Sequence, residues 1–307
     1  MSAAPTTAAV GDRPQTSPRT LGLAGVAVAI IGLSAGSTMV KAVHAPGPVT
    51  AIWRLVFSGI VWHTVLLVRR ERFTWEAARA TALPGFLFGI NLVCFFTGVT
   101  RTRIANAEFI GTLSPLIVVP VAAYLLRERI RPVVALLGGI ALLGVGLIVL
   151  TADKGGTHQW SGDLLIVAAM ITWSSYLLLS KKLRARISAP ILMAGMTTFA
   201  ALTVAPFAIA THHVTDVSRR GWMLIVLMSF TSGVICHGLF AWAQKAVPVS
   251  TISLMQLAQP GMSAFWAWLF LSEGVRPIQV VGMVIVLVAV GSIARSSTAP
   301  ARNPTSG

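Results

Sequence analysis

Two stretches carry the reading: Leu113–Pro132, LSPLIVVPVAAYLLRERIRP, and Ala258–Pro277, AQPGMSAFWAWLFLSEGVRP. Each places a proline at its third residue, an apolar run after it, and a Glu-x-x-Arg-Pro at its end. Pro115, Glu128, Arg131, Pro132 and Gly146 recur 145 positions later as Pro260, Glu273, Arg276, Pro277 and Gly291. Five identities at one offset, in segments of matching hydropathy, mark an internal duplication. The halves run over residues 21–151 and 161–295, separated by the short polar linker Ala152–Trp160.

Working outward, apolar residues make up 55% of the chain and charged residues 11%. A water-soluble domain carries about a quarter charged residues, so lipid must face much of the surface. A spanning helix needs roughly 20 mostly apolar residues. Ten segments meet that: Leu21–Val40, Thr50–Val68, Ala82–Thr100, Ile104–Leu126, Pro132–Leu150, Gly162–Ser180, Pro190–Ala210, Gly221–Gln244, Val249–Leu271 and Pro277–Ile293. The strict alternation of barrel strands is absent. The fold class is all-α and integral to the membrane, with ten transmembrane helices. Five helices per half is an odd number, so the second half enters from the opposite side. The result is two inverted five-helix repeats, an architecture that sets a substrate site near the midplane between them. Residues 1–20, rich in Ala, Thr and Pro, and residues 296–307 are expected to be disordered tails. The first apolar run exceeds a signal-peptide core and reads as a retained helix.

The net charge of +15 comes from short basic clusters between apolar runs, not from a patch that would bind nucleic acid. With the N-terminus in the cytoplasm, sixteen Lys and Arg fall inside and seven outside, and Arg54 lies within a helix. That asymmetry sets both termini in the cytoplasm. Trp75, Trp160 and Trp222 fall near helix ends, where aromatic rings favour the interface.

Ionisable groups within spans are expensive and point to function. Arg54 in the second helix and Glu108 in the fourth enter from the same side and sit at similar depth. They are expected to neutralise each other, offering an anion site at Arg54 or a protonatable carboxylate at Glu108. Structural pairing or snorkelling is the bland alternative. Pro115 and Pro260 each release a carbonyl four residues back, those of Gly111 and Gln256, which are expected to face a cavity beside Gln259. Asn91, Trp173, Tyr176 and His237 are further mid-helix candidates, alongside the ordinary role of interhelical hydrogen bonding. Glu128 and Glu273 read as helix-terminal salt-bridge partners for nearby arginines. Gly138, Gly139, Gly144 and Gly146 permit close helix packing, including across a homodimer. Cys94 and Cys236 read as small buried thiols, and His212 with His213 as too few ligands for a metal site. No nucleotide-binding loop or hydrolase signature occurs. No cofactor or metal is expected, and the partners are a small-molecule substrate and membrane lipid.

The Pro…Glu pattern ending in Leu-Arg-Glu128 and Leu-Ser-Glu273, with the Trp173…Tyr176…Lys181-Lys182 run, resembles the EamA-type members of the drug/metabolite transporter superfamily. The resemblance covers nearly all of residues 21–295. It implies an inner-membrane location and export of small metabolites or toxic compounds, often by proton exchange. Arg101, Arg103 and Glu108 depart from that pattern, where small or neutral residues are usual. The reading is therefore a secondary exporter of small metabolites such as amino acids. The competing class is an intramembrane enzyme on a lipid-linked substrate, which needs a convergent cluster of carboxylates or histidines. Reporter fusions test the topology: a fusion after Arg295 is expected to report the cytoplasm, and one in the Ala152–Trp160 linker the opposite side. A C-terminus on the outer side would end the inverted-repeat arrangement.

Overall fold

The computed structural model describes residues 17–151, 159–271 and 276–298. Most of the leading tail, the linker over 152–158, Glu273 and residues 299–307 lie outside them. The first span is α1 (Pro18–Leu33) followed by α2 (Gly36–Val43). The next two are α3 (Gly47–Val68) and α4 (Trp75–Arg101). The fourth is α5 (Ile104–Thr112) with α6 (Pro115–Leu125), and α7 (Pro132–Leu150) ends the first half. The second half opens with α8 (Trp160–Leu183) and α9 (Ala189–Ile209). Its third span is α10 (Arg219–Met228), a π-helical stretch over Ser229–Cys236, and α11 (His237–Ala243). Then come α12 (Val249–Met255), a 3₁₀ turn over Gln256–Ala258, α13 (Gln259–Leu271) and α14 (Pro277–Thr298).

Nine of these runs are long and apolar enough to cross a membrane among the described residues. Ten spans were expected; the one that falls outside the nine is Val249–Leu271. There the 3₁₀ turn leaves α12 at 7 residues and α13 at 13. The cause is local: Pro260 has no N–H with which to continue the α-helical ladder. Spans also begin earlier than hydropathy alone locates them. Thr74 accepts from the Ala77 N–H (3.2 Å) and starts α4 at Trp75, ahead of the apolar run. Side-chain caps of this kind are invisible to a hydropathy window.

The halves pack as exchanged copies. The third span meets the sixth (α4 on α8) as the eighth meets the first (the π stretch and α11 on α1). The third meets the seventh (α4 on α9) as the eighth meets the second (α10 and the π stretch on α3). The pairs α3–α9 and α7–α14 map onto themselves, and α6–α12 maps onto α13–α5. Polar locks repeat as well. Lys41 Nζ donates to the Thr102 carbonyl (3.0 Å), and Lys181 Nζ donates to the carbonyl of Val247 (2.8 Å), 145 residues beyond Thr102.

One apolar core gathers α3, α4, α8 and α9; the other gathers α1, α7, α12 and α14. Outside them, Leu67, Leu143, Leu164 and Val288 are all at least 63% exposed, as lipid-facing side chains are. Helix approach depends on small residues. A Cβ on Gly89 would lie 2.7 Å from Thr203 Cβ and 2.9 Å from the Ala200 carbonyl, so α4 meets α9 only with glycine there. Within α7, Gly138 faces Leu254 and Gly144 faces Gly282, while Gly139 and Gly146 have open space.

The arginine ion pair expected of Glu128 is not formed among the described residues. Its carboxylate accepts from the N–H groups of Val249 (2.8 Å) and Ser250 (3.1 Å) and from the Ser250 hydroxyl (2.6 Å). Residue 248 is a proline and supplies no side-chain cap to α12. The first half therefore caps a helix of the second, satisfying orphan amides and placing negative charge at a helix N-terminus. Glu128→Ala is expected to destabilise the protein by roughly 1–2 kcal/mol, read as a lower thermal unfolding midpoint in detergent. A midpoint equal to wild type would show that the cap carries no weight.

Candidate functional site

Four spans are interrupted, and the interruptions converge. The breaks at Ser34–Ala35, at Leu113–Ser114, over the π stretch and at Gln256–Ala258 surround one cavity of about 140 Å³. Its lining includes Leu33 and Gly36 beside the first break, Thr112 and Ser114 beside the second, Ser232 and His237 from the third, and Gln256 and Gln259 from the fourth. A water counts for about 10–15 Å³ on this scale, so the space holds on the order of ten heavy atoms. Irregular backbone at membrane depth is tolerated where it is buried in protein or lines a polar cavity.

The two proline-bearing breaks share one geometry. The Ser114 N–H donates to the Gly111 carbonyl (3.2 Å), and the Gln259 N–H donates to the Gln256 carbonyl. Each carbonyl deprived of its α-helical partner is recaptured by a turn three residues on. This corrects the expectation that the Gly111 and Gln256 carbonyls stand open. The cavity instead meets the side chains of Gln256 and Gln259, Pro115 itself and Gly111, which carries none.

Arg54 is 3% exposed. Its Nε donates to the Ser232 hydroxyl (3.2 Å), Nη2 lies 3.4 Å from His237 Nδ1, and the guanidinium sits 5.7 Å from the Phe96 ring centroid. The π stretch makes the approach feasible. A Cβ on Gly233 would come 2.2 Å from Ser58 Oγ and 3.7 Å from Arg54 Nε, so only glycine lets α3 lie against it. Nδ1 of His237 is bonded to the Ser232 carbonyl, which makes Nδ1 the protonated nitrogen and leaves Nε2 an acceptor.

Glu108 is held elsewhere. The Ser37 hydroxyl donates to Oε1 (2.7 Å), and Ser263 lies beside the carboxylate while donating to the Ser34 carbonyl (2.7 Å). That carbonyl is one of those released where α1 ends. Glu108 and Arg54 line the same cavity, yet no ion pair joins them among the described residues. The expected mutual neutralisation is thus corrected. Equal depth put the two charges at one level, but each helix turns its charge toward a different neighbour.

Asn91 Nδ2 donates to the Ala169 carbonyl (2.7 Å), tying α4 to α8 at the wall. Trp173 approaches Gln256 Oε1 through Nε1 (3.4 Å) and stacks edge-on to His237 at 5.8 Å. Of the residues expected in the pathway, Arg54, Asn91, Glu108, Gly111, Pro115, Trp173, His237, Gln256 and Gln259 line the cavity. Tyr176 and Pro260 do not. Tyr176 is 1% exposed and lies one layer behind, its ring 5.2 Å from Phe88 and 5.3 Å from Trp173; Pro260 is buried near the start of α13. Sequence reading missed Ser37, Ser232 and Ser263. The Ser34/Gly36/Ser37 cluster inside an apolar run was a legible sign of the first break, whereas nothing local announced the π stretch.

The ends of the spans are tied unequally around this space. On the face bearing Arg69, Lys181 and Arg184 donate to the carbonyls of Gln244 (2.5 Å) and Ala241 (2.6 Å), and Gln244 Nε2 donates back to the Leu177 carbonyl (3.2 Å). Glu128 joins α12 to the same face. The cavity lies toward the opposite face, near the Gly47 end of α3, the Arg101 end of α4 and the Trp160 end of α8. His212 and His213 lie in a loop, where His213 meets Asp216 at 2.9 Å, and no group of three metal-ligating side chains occurs among the described residues. Both cysteines are buried and free.

A duplicated bundle of membrane-length helices around a cavity between its two halves defines a multi-pass membrane protein of transporter architecture. The chain belongs to the EamA-like transporter family, which matches residues 20–150 and again residues 160–295. It is 22% identical over 277 residues to the pseudopaline exporter of Pseudomonas aeruginosa, across 89% of this chain and 96% of that one. It is also 23% identical over 239 residues to an uncharacterised transporter of Clostridium kluyveri, across 75% of this chain and 76% of the relative. A solved crystal structure shares the fold with a TM-score of 0.74 at 20% identity, over 92% of this chain and 99% of that one.

Because Arg54 and Glu108 share no hydrogen-bond partner, their contributions to stability are expected to be independent. Arg54→Gln and Glu108→Gln are each expected to fall short of the roughly 3–5 kcal/mol loss that breaking a buried ion pair costs, and the double variant to show no large rescue relative to the single ones. A double variant much more stable than the sum would restore direct pairing.

Proposed function

We propose that the protein is a secondary exporter of small metabolites, working by alternating access in the inner membrane with both termini in the cytoplasm. The observation that carries this is a cavity between the two repeats, lined beside the interruptions of four spans. Such a site is served by rocking one half against the other. The locks around Lys41 and Lys181 lie at opposite faces and are related by the repeat, as two gates around one site would be. The relative named as an exporter, aligned over most of both chains, supports the outward direction. The basic asymmetry of the loops supports the orientation.

Coupling to protons is part of the same reading. No nucleotide-binding motif is present in the sequence, so the work comes from a gradient. Glu108 is the carboxylate among the described lining residues. Protonation removes its charge and alters what the cavity holds, which biases one facing state. What favours transport over an intramembrane enzyme is the spacing of the reactive groups. Glu108 sits with Ser37 and Ser263, His237 with Arg54 and Ser232, and neither acid nor imidazole touches the other.

A strain overproducing the protein, grown against amino acids, their analogues and toxic cations, is expected to show raised tolerance to its cargo. In proteoliposomes, an imposed pH gradient is expected to drive accumulation of that cargo, and Glu108→Gln to abolish the gradient-driven component. Proton coupling through this residue is wrong if accumulation ignores the gradient and Glu108→Gln transports normally.

A further inference from the structure

A second concavity lies apart from the central cavity and shares no lining residue with it. It is a groove between α4 of the first half and α9 of the second. Close packing creates it. A Cβ on Gly85 would lie 2.6 Å from Phe199 Cβ, and one on Gly89 2.7 Å from Thr203 Cβ, so the two helices touch and a valley runs beside the contact. Its walls stand on the outside of the bundle: Leu83, Phe86, Leu202 and Phe207 are all at least 44% exposed. No charged residue lines it.

The charge sits at one end. Along α4 the lining residues are Ala82, Leu83, Phe86 and Ile90, which share one helical face. Toward the helix start the same face continues as Arg79 and, four residues before it, Trp75. The Arg79 guanidinium lies 5.8 Å from the Trp75 ring centroid, and Trp75 is 75% exposed. Arg79 forms no ion pair among the described residues. Glu76, the carboxylate of that turn, stands about 100° around the helix from Trp75 and does not pair with it.

The dimensions match half a bilayer. Arg79 and Ile90 are 11 residues apart, a rise of about 16 Å. The hydrocarbon of one leaflet is about 15 Å deep. Trp75 then falls at headgroup level, where indole rings settle, and Arg79 reaches the same level by extending its stem.

We propose that this groove binds one anionic phospholipid of the leaflet at the Trp75 end of α4, its phosphate on Arg79 and one acyl chain along the valley. In the orientation proposed above this is the cytoplasmic leaflet. Charge complementarity favours a lipid over a helix of a second copy. A helix could fill the valley, but a phospholipid fills it and meets the guanidinium in one molecule. Because α4 and α9 come from different halves, the bound lipid bridges the two repeats.

The test is native mass spectrometry of the purified full-length protein with phosphatidylglycerol and phosphatidylcholine of identical chains. One phosphatidylglycerol is expected to bind at least about threefold more tightly than phosphatidylcholine. Arg79→Gln is expected to erase that preference and Arg79→Lys to keep it. Arg72→Gln, which removes an exposed charge ahead of α4, is expected to leave it unchanged. Ala82→Trp, which fills the valley and leaves the charge alone, is expected to weaken phosphatidylglycerol at least about threefold. Glycerol phosphate in large excess is expected not to displace the lipid, since it has no chain for the groove. The comparison of the two lipids on the wild-type protein needs no variant to fold. The proposal is overturned if the two lipids bind the wild type alike, if the preference survives Arg79→Gln, or if Ala82→Trp binds phosphatidylglycerol as the wild type does. It is overturned equally if glycerol phosphate competes, or if Ala82→Trp disperses a dimer instead of releasing a lipid.

Discussion

A backbone amide inside the hydrocarbon layer has no water to bond with, and that constraint organises this molecule. An unbroken helix satisfies it internally, so spans are helical. Every interruption must then be compensated by protein or cavity. Four spans of this chain are interrupted, and all four interruptions lie around one space. The released Ser34 carbonyl is taken by Ser263, and the carbonyls behind both cavity-side prolines are taken by 3₁₀ turns. Spending the backbone groups in this way leaves side chains to give the cavity its chemistry.

The same economy explains the charges. Arg54 is reached by Ser232 because the π stretch places that hydroxyl against α3, and Gly233 leaves room for the approach. Glu108 is reached by Ser37 and Ser263 because α2 and α13 meet α5 where their own helices are disturbed. A charge is thus oriented on each side of the cavity by hydroxyls: Ser232 accepts from Arg54 Nε while donating to its own Met228 carbonyl (2.9 Å), and Ser37 donates to Glu108. Orientation without an ion pair among the described residues leaves both charges on the cavity wall.

Duplication supplies the third element. The exchanged contacts and the matched lysine locks follow from two copies of one unit folded face to face. Glu128 crosses between them, with its carboxylate on the first turn of α12. Proline at position 248 suits the start of a helix but offers no side-chain acceptor, and the partner repeat makes up the deficit.

The sequence by itself determined the membrane class, the location of the spans within a few residues, the duplication at 145 residues and the two prolines at which spans break. These are local properties: hydropathy is summed along a window, and the missing proline N–H disrupts its own helix wherever it packs. Relative depth could be proposed too: Arg54 and Glu108 at one level near helix ends, and Asn91 and His237 as mid-helix groups. Tertiary structure decided which of them meet. Two residues at one depth touch only if their helices turn them toward each other, and that rotation is set by glycines such as Gly89 and Gly233 pressed against partners hundreds of ångströms of extended chain away. Hence Arg54 found the π stretch rather than Glu108, Tyr176 fell behind the wall rather than on it, and Glu128 became a helix cap rather than an arginine's partner.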